Sequence, residues 1–264
     1  MLEYPDSIRH HSQMKAVTFL KPFEYTLKID GESWPQGAQV TGTLEVKNHS
    51  SPGSSGSDLA DARVLLAITR GDLKKVHAKT PGALSVVKLL SPPPSDPNAW
   101  QLPAGGETKT FPWETILDRN CPITDSVGSP FLAYGHSGDL DSSARIQLPV
   151  TSEPILAAFL NACNVHFRFI IKSQRWSKSG TTATKLVPPD SKRFARLEYI
   201  TLTSHFSGEE LELNYEFNEK SKKKRELDQT LSPAEYRLPS GRLNTDVFER
   251  KLEEALQAHE GSAT

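Results

Sequence analysis

Phe23-Glu24-Tyr25-Thr26-Leu27-Lys28-Ile29-Asp30, followed after a short break by Trp34-Pro35-Gln36-Gly37-Ala38-Gln39-Val40-Thr41-Gly42-Thr43-Leu44-Glu45-Val46, is the stretch on which the fold turns. Phe23, Tyr25, Leu27 and Ile29 alternate with Glu24, Thr26, Lys28 and Asp30. A period of two sends the first set to an apolar face and the second to water, so the segment reads as a half-buried strand. Trp34-Pro35-Gln36-Gly37 is the turn, and alternation resumes from Val40 to Val46. Gly42 stands where a side chain would face inward, a position that permits a bulge or a close backbone approach.

Working outward, 64–69 and 84–90 read as further strands. After the turn Ala104-Gly105-Gly106-Glu107, residues Lys109, Phe111 and Trp113 share one strand face, and Ile146, Leu148 and Val150 alternate along 145–150. Two connections stand out: 48–61 (NHSSPGSSGSDLAD) is small and polar enough to be a flexible loop, and 91–98 (SPPPSDPN) is rich in proline.

The period then changes. Ile155, Leu156, Phe159, Leu160 and Cys163 recur at helical spacing behind Ser152, a cap candidate, and Pro154, a first-turn proline. Strands are expected again at Val165, Phe167, Phe169 and Ile171, then at Leu197, Tyr199, Thr201 and Thr203, then at Leu211, Leu213, Tyr215 and Phe217. A polar stretch, 218–229, follows, and Val247, Phe248, Lys251, Leu252, Ala255 and Leu256 mark an amphipathic helix starting near Asn244 or Thr245. The pattern predicts an all-β chain of two tandem immunoglobulin-like β-sandwiches with a short linker helix and a C-terminal helix. The expected divisions are 15–150, 151–230, and a tail, 231–264, that carries the helix.

Composition agrees with many short elements. The 264 residues are 36% hydrophobic and include 19 prolines and 16 glycines, which suits sandwiches joined by turns better than helix bundles. With 31 basic and 32 acidic residues the net charge is −1, so no whole-protein field attracts nucleic acid or an anionic membrane, and such binding needs a local patch. No apolar run has the roughly 20 residues of a membrane span, and residues 1–11 lack a signal-peptide core, which leads to an expectation of a cytoplasmic protein. Cys121 and Cys163, the only cysteines, are too few for a disulfide framework or a four-thiolate zinc site.

The segment Trp34–Val46 resembles the N-domain pattern of the arrestin-like clan: aromatic, proline, glycine, valine, glycine, then alternating apolar residues. Gln36 is an insertion between proline and glycine, and Ala38 replaces the usual Glu. Leu102, Gly105, Gly106, Phe111 and Trp113 are similar to the clan's "glycine, then Phe-x-Phe" strand, with Pro122-Ile123-Thr124 in place of its usual turn. In the second half, 155–169 (ILAAFLNACNVHFRF), 194–203 and 211–217 resemble the bacterial sporulation-control branch. The resemblance spans about 21 to 217. It implies a scaffold or adaptor that binds through sheet edges and loops rather than a catalyst.

Residue chemistry leads the same way. The eight histidines are scattered, and no pair has the spacing of a metal-binding helix. His136 lies in GHSGDLD beside Asp139 and Asp141, a metal or acid–base candidate set against the ordinary solvated turn that Asp, Gly and Ser form. Cys121 before Pro122 is a nucleophile only if the fold brings it a base. Phosphate-cradling loops, nucleophile elbows and dinucleotide fingerprints are absent, so no catalytic residue, cofactor or metal is assigned.

Lys220, Lys222, Lys223, Lys224 and Arg225 are the one concentrated charge, flanked by Glu219, Glu226 and Asp228. Without interleaved aromatics they do not suit single-stranded nucleic acid, and no nucleic-acid partner is expected. The expectation is a non-enzymatic scaffold that binds protein partners. It would pair through an edge strand containing Leu211, Leu213 and Tyr215, with a second copy or another chain, the basic run providing steering. The alternatives are a trafficking adaptor for membrane cargo, with the basic run on an anionic lipid surface, and a metal-dependent hydrolase built on the His136 loop.

Overall fold

Alternation becomes burial in the first strands. The structure, a computed structural model, describes residues 12–52, 63–91, 100–136 and 140–261, which fall into two compact units. One unit draws on Met1–Trp34, Ala38–Leu117 and Pro130–Pro149, the other on Pro35–Gly37, Asp118–Ser129 and Val150–Thr264. The chain contains β1 (Gln13–Leu20), β2 (Phe23–Asp30), β3 (Trp34–Pro35), β4 (Gln39–Asn48), β5 (Val64–Asp72), α1 (Leu73–His77), β6 (Leu84–Leu89) and β7 (Thr108–Ile116). It continues with β8 (Gly128–His136), β9 (Ala144–Gln147) and β10 (Val150–Thr151).

In the first unit two four-stranded sheets, β1-β2-β4-β7 and β6-β5-β8-β9, form a sandwich. The expected inward set of β2, Phe23, Tyr25, Leu27 and Ile29, is buried with Leu44, Val46, Phe111 and Trp113 beside it. The facing sheet contributes Leu66, Ile68, Leu132 and Tyr134. Tyr134 joins the layers through its hydroxyl, 3.0 Å from Thr18 Oγ1, and its ring, 6.3 Å from that of Tyr25. Gly42 is the anticipated close approach: a Cβ there would press on the Lys28 carbonyl oxygen and lie 2.7 Å from Trp113 Cζ2. Most of the 48–61 loop and of the 91–98 connection lies outside the described residues.

The second unit continues with α2 (Pro154–Phe167), β11 (Ile170–Trp176), β12 (Thr182–Val187), β13 (Leu197–Ser207), β14 (Glu210–Glu219), β15 (Lys224–Leu231), α3 (Pro233–Tyr236) and α4 (Thr245–Gly261). β11 to β15 form one antiparallel five-stranded sheet in sequence order. Within this all-β architecture the layer against that sheet is helical. Ile155, Leu156, Phe159, Leu160 and Cys163 of α2 join Val247, Phe248, Leu252, Ala255 and Leu256 of α4 over Leu202, Leu211, Leu213, Tyr215 and Phe217. The terminal helix thus belongs to the core of this unit, its apolar stripe wholly inside.

Three local expectations are corrected. Val165 and Phe167 lie in the last turn of α2, because the helix runs on until Arg168, at φ 58°, ends it in a left-handed cap, and strand begins only at Ile170. Glu153 rather than Ser152 caps α2, accepting from the N–H groups of Ile155 at 2.5 Å and Leu156 at 3.3 Å. The polar stretch 218–229, expected to follow the last strand, is itself the end of β14, a tight turn and most of β15. Its inward positions carry polar side chains that find partners: Gln229 accepts from the Tyr215 hydroxyl and donates to the Lys251 carbonyl, and Arg225 donates to the carbonyl of His259.

Candidate functional site

The β14–β15 hairpin carries the basic run to one end of the second unit. Its turn closes with Lys222 N–H to Glu219 O at 2.9 Å and Glu219 N–H to Lys223 O at 3.0 Å, and Lys222 takes a left-handed φ of 64°. Lys220 N–H then donates to the carbonyl of Arg196 at 2.9 Å, which fastens the hairpin turn beside residues 191–196. That segment winds through successive tight turns, Phe194 N–H to Ser191 O and Leu197 N–H to Phe194 O. Phe194 anchors it, buried against the ring of Phe169 at 5.2 Å, and leaves Lys192, Arg193 and Arg196 at the surface.

Residues 192–197, Glu219 at the end of β14 and the last turns of α4 line a cleft of about 270 Å³. Lys192, Arg193, Arg196, Glu219, His259 and Glu260 supply its polar lining, Phe194, Leu197 and Leu256 its apolar part. Arg193 is spoken for, bidentate to Glu253 at 2.7 and 3.0 Å and 3.0 Å from Glu260. Those bonds raise its pKa and hold the Glu253 carboxyl below its usual range. Lys224 pairs with Glu216 at 3.1 Å, and Arg225 Nε lies 4.0 Å from Glu219. Lys192, Arg196, Lys220, Lys222 and Lys223 carry no ion pair among the described residues, and their charge is available to a partner.

His259 is the unusual group of this cleft. Its ring stacks on Phe217, with centroids 4.5 Å apart and planes 9° from parallel, and its side chain is only 10% exposed. Nε2 is 3.9 Å from Glu219 Oε1, whereas Nδ1 is buried with no hydrogen-bond partner. Burial lowers the pKa of the imidazole.

Of the residues singled out from sequence, the five basic ones do gather at this end, although Lys224 and Arg225 are engaged within the fold. Leu211, Leu213 and Tyr215 are elsewhere in function. β14 is flanked by β13 and β15, so it offers no free edge, and these three side chains are buried in the core. The edges of this sheet are β11 and β15. Lys192 and Arg196 were beyond sequence reasoning, since only the Lys220–Arg196 bond makes them neighbours of the run.

The other candidates acquire structural roles. His136 Nδ1 lies 3.1 Å from the Tyr25 hydroxyl and its ring stacks on Tyr25, with burial lowering its pKa. Asp139 lies outside the described residues, and Asp141 accepts from the Gly82 N–H at 3.0 Å. Among the described residues no three His, Cys, Asp or Glu side chains group as metal ligands. Burial pushes the thiols of Cys121 and Cys163 up to about 12, the opposite of what a nucleophilic thiolate needs. No described helix is long and apolar enough to cross a membrane.

No family model matches the chain, and no curated protein matches it. Among solved structures it is similar to the crystal structure of Spo0M, a sporulation control protein from Bacillus subtilis, with a TM-score of 0.62 over 90% of this chain and 99% of that one. At 15% identity the likeness shows the fold, which is arrestin-like.

Proposed function

We propose that the protein is a non-enzymatic scaffold or adaptor, similar in this to sporulation-control proteins, and that it grips a protein partner at the basic end of its second unit. The observation that carries this is the Lys220–Arg196 backbone bond, which sets the hairpin turn with Lys220, Lys222 and Lys223 beside the segment of Lys192 and Arg196, five cations without ion pairs among the described residues. Unpaired cations on a hairpin turn and an anchored segment speed encounter with an acidic surface and make association sensitive to salt. The buried thiols and the Tyr25-bound His136 support a binding role over a catalytic one.

The test is pull-down with quantitative mass spectrometry. Serine at Lys192, Arg196, Lys220, Lys222 and Lys223 should remove acidic partners from the captured set and flatten the salt dependence of association, with the circular dichroism spectrum unchanged. Equal capture by the variant at every salt concentration, or binding of anionic vesicles in place of any acidic protein, sinks the proposal.

A further inference from the structure

An edge strand presents a row of unpaired N–H and C=O groups to any other strand, and proteins blunt it by shortness, charge, proline or a bulge. Among the described residues, five of the six edges of the three larger sheets are blunted in these ways. β7 has Pro112 at its middle, β9 has only 4 residues, and β15 carries Lys224, Arg225, Glu226 and Asp228. The registers of β6 and β11 break at Val87 and at Lys172. The sixth edge, β1, has none of these guards. It pairs with β2 over Gln13–Leu20 without a break, contains no proline and has Lys15 as its sole charge. It also exposes Val17 by 48% and Phe19 by 65% on the outer face of the sheet. Its inner side chains hold it firmly in place: Thr18 Oγ1 is 3.0 Å from the Tyr134 hydroxyl, and Leu20 packs on Gly135.

We infer that β1 is a self-association surface, pairing antiparallel with β1 of a second copy so that the two β1-β2-β4-β7 sheets join into one. A second copy suits this edge because the strand complements itself. With Val17 on the two-fold axis, Val17 of each copy meets Val17 of the other, and Lys15 stands opposite the other copy's Phe19, where its ammonium rests on the ring. In its own sheet Lys15 faces Lys28, and neither has an ion pair among the described residues. Phe19 faces Glu24, so the joined sheet sets a carboxylate of the other copy one strand beyond the ring, toward this pair of cations. The register also keeps the two Lys15 ammonium groups apart, and like charges directly opposite each other destabilise a sheet. The contact uses the first unit and none of the residues of the basic end.

The experiment follows the full chain by sedimentation velocity over a range of protein concentrations, with hydrogen exchange read in β1. The expected result is a monomer–dimer equilibrium in which the β1 amides gain protection as the dimer fills. V17K combined with F19K changes four side chains at the one interface and should weaken the dimer about a hundredfold. It should leave the circular dichroism spectrum and the capture of acidic partners at the basic end unchanged, which keeps the two proposals separable. V17C sets two thiols opposite each other, near disulfide reach, and should give a covalent dimer on mild oxidation, Cys121 and Cys163 being buried. T26C, one strand further in, should not, and this pair of variants serves if the lysine variant misfolds. A chain that stays monomeric at every concentration overturns the inference. A dimer that survives V17K/F19K at unchanged affinity, or that V17C does not link, uses another surface and overturns it too. Protection of β1 that appears only when a different protein is bound makes the edge a docking strand for that protein and removes the second copy.

Discussion

Arg119 Nη2 lies 2.7 Å from Glu153 Oε1, and the other oxygen of that carboxylate caps α2 by accepting from the N–H of Ile155. One buried glutamate therefore pairs with an arginine and closes the first turn of a core helix. Arg119 in turn donates to the Gly208 carbonyl at 3.2 Å and lies over the Phe206 ring at 3.9 Å. Next to it Asn120 behaves as a one-residue strand, its side chain donating to Phe206 O at 2.7 Å and accepting from Phe206 N–H at 2.8 Å. Gln36 donates to the Cys121 carbonyl and accepts from Glu153 N–H at 3.1 Å. Segments 35–37 and 118–121 are thereby tied to the sheet and to α2.

This clasp predicts an ordered set of losses. Glu153→Ala removes a helix cap and leaves Arg119 largely buried with its main partner gone, so it should cost about 3 kcal/mol in urea unfolding. Glu153→Gln keeps an acceptor for Ile155 and loses only the charge, and should cost about half as much. Equal losses for the two variants would show that the cap contributes nothing.

Gly42 and Gly82 give opposite tests of backbone freedom. A methyl group at Gly42 meets the Lys28 carbonyl and the Trp113 ring, both fixed in the sandwich, and Gly42→Ala should cost about 3 kcal/mol by overpacking. Gly82 sits at φ 68° with open space around it, and Gly82→Ala should cost only about 1 kcal/mol of left-handed strain. Thermal unfolding of the two variants separates crowding from conformation; similar shifts in both would contradict it.

How far such features were legible depends on whether burial and polarity coincide. Along β2 they do, and Phe23, Tyr25, Leu27 and Ile29 were readable as an inner face at once. The preceding strand β1 was not, because its outward side carries Val17 and Phe19, both exposed, which blurs the alternation. The strand β15 is hidden for the reverse reason: its inward Arg225 and Gln229 are polar and satisfied by His259 and Lys251, so a sheet strand reads as a polar stretch. At the end of α2 an accidental alternation, Val165, Phe167, Phe169 and Ile171, mimicked a strand. The cleft was half legible, since Lys220 to Arg225 announce themselves as a run, while Arg196, twenty-odd positions earlier in the chain, is joined to them by tertiary hydrogen bonding alone.

Two partly buried histidines set an acid limit to stability. His136 and His259 both have pKa values lowered by burial, so the unfolded chain takes up protons at a higher pH than the folded one does. Stability from this source is complete above the ordinary histidine value, near 6.5, and declines as pH falls below it. Carboxylates with lowered pKa, Glu235 and Glu253 among them, lose their contribution only at still lower pH, below the usual carboxylate range. The urea midpoint should therefore drop between pH 7.5 and 5.5, and H136F combined with H259F should flatten that drop. An unchanged pH profile in the double variant would mean that other groups govern it.

The last prediction concerns α4, the amphipathic helix near the end of the chain. Val247, Phe248, Leu252, Ala255 and Leu256 are each buried to within 1%, and Phe248 meets Phe159 of α2 edge-on at 5.8 Å. The polar side is held as well, with Lys251 3.3 Å from Glu235 and Glu253 clamped by Arg193. A helix fixed on both flanks is part of the second layer of its unit and is not free for docking. Phe248→Ala should then cost about 4 kcal/mol, the loss expected for an aromatic cavity in a packed core. Truncation after Asn244 should expose the face of α2 and of the sheet and give a chain that binds hydrophobic dyes and loses protection in β13 and β14 by hydrogen exchange. If the truncated chain keeps that protection, the core of the second unit closes without α4, and the helix is available to a partner after all.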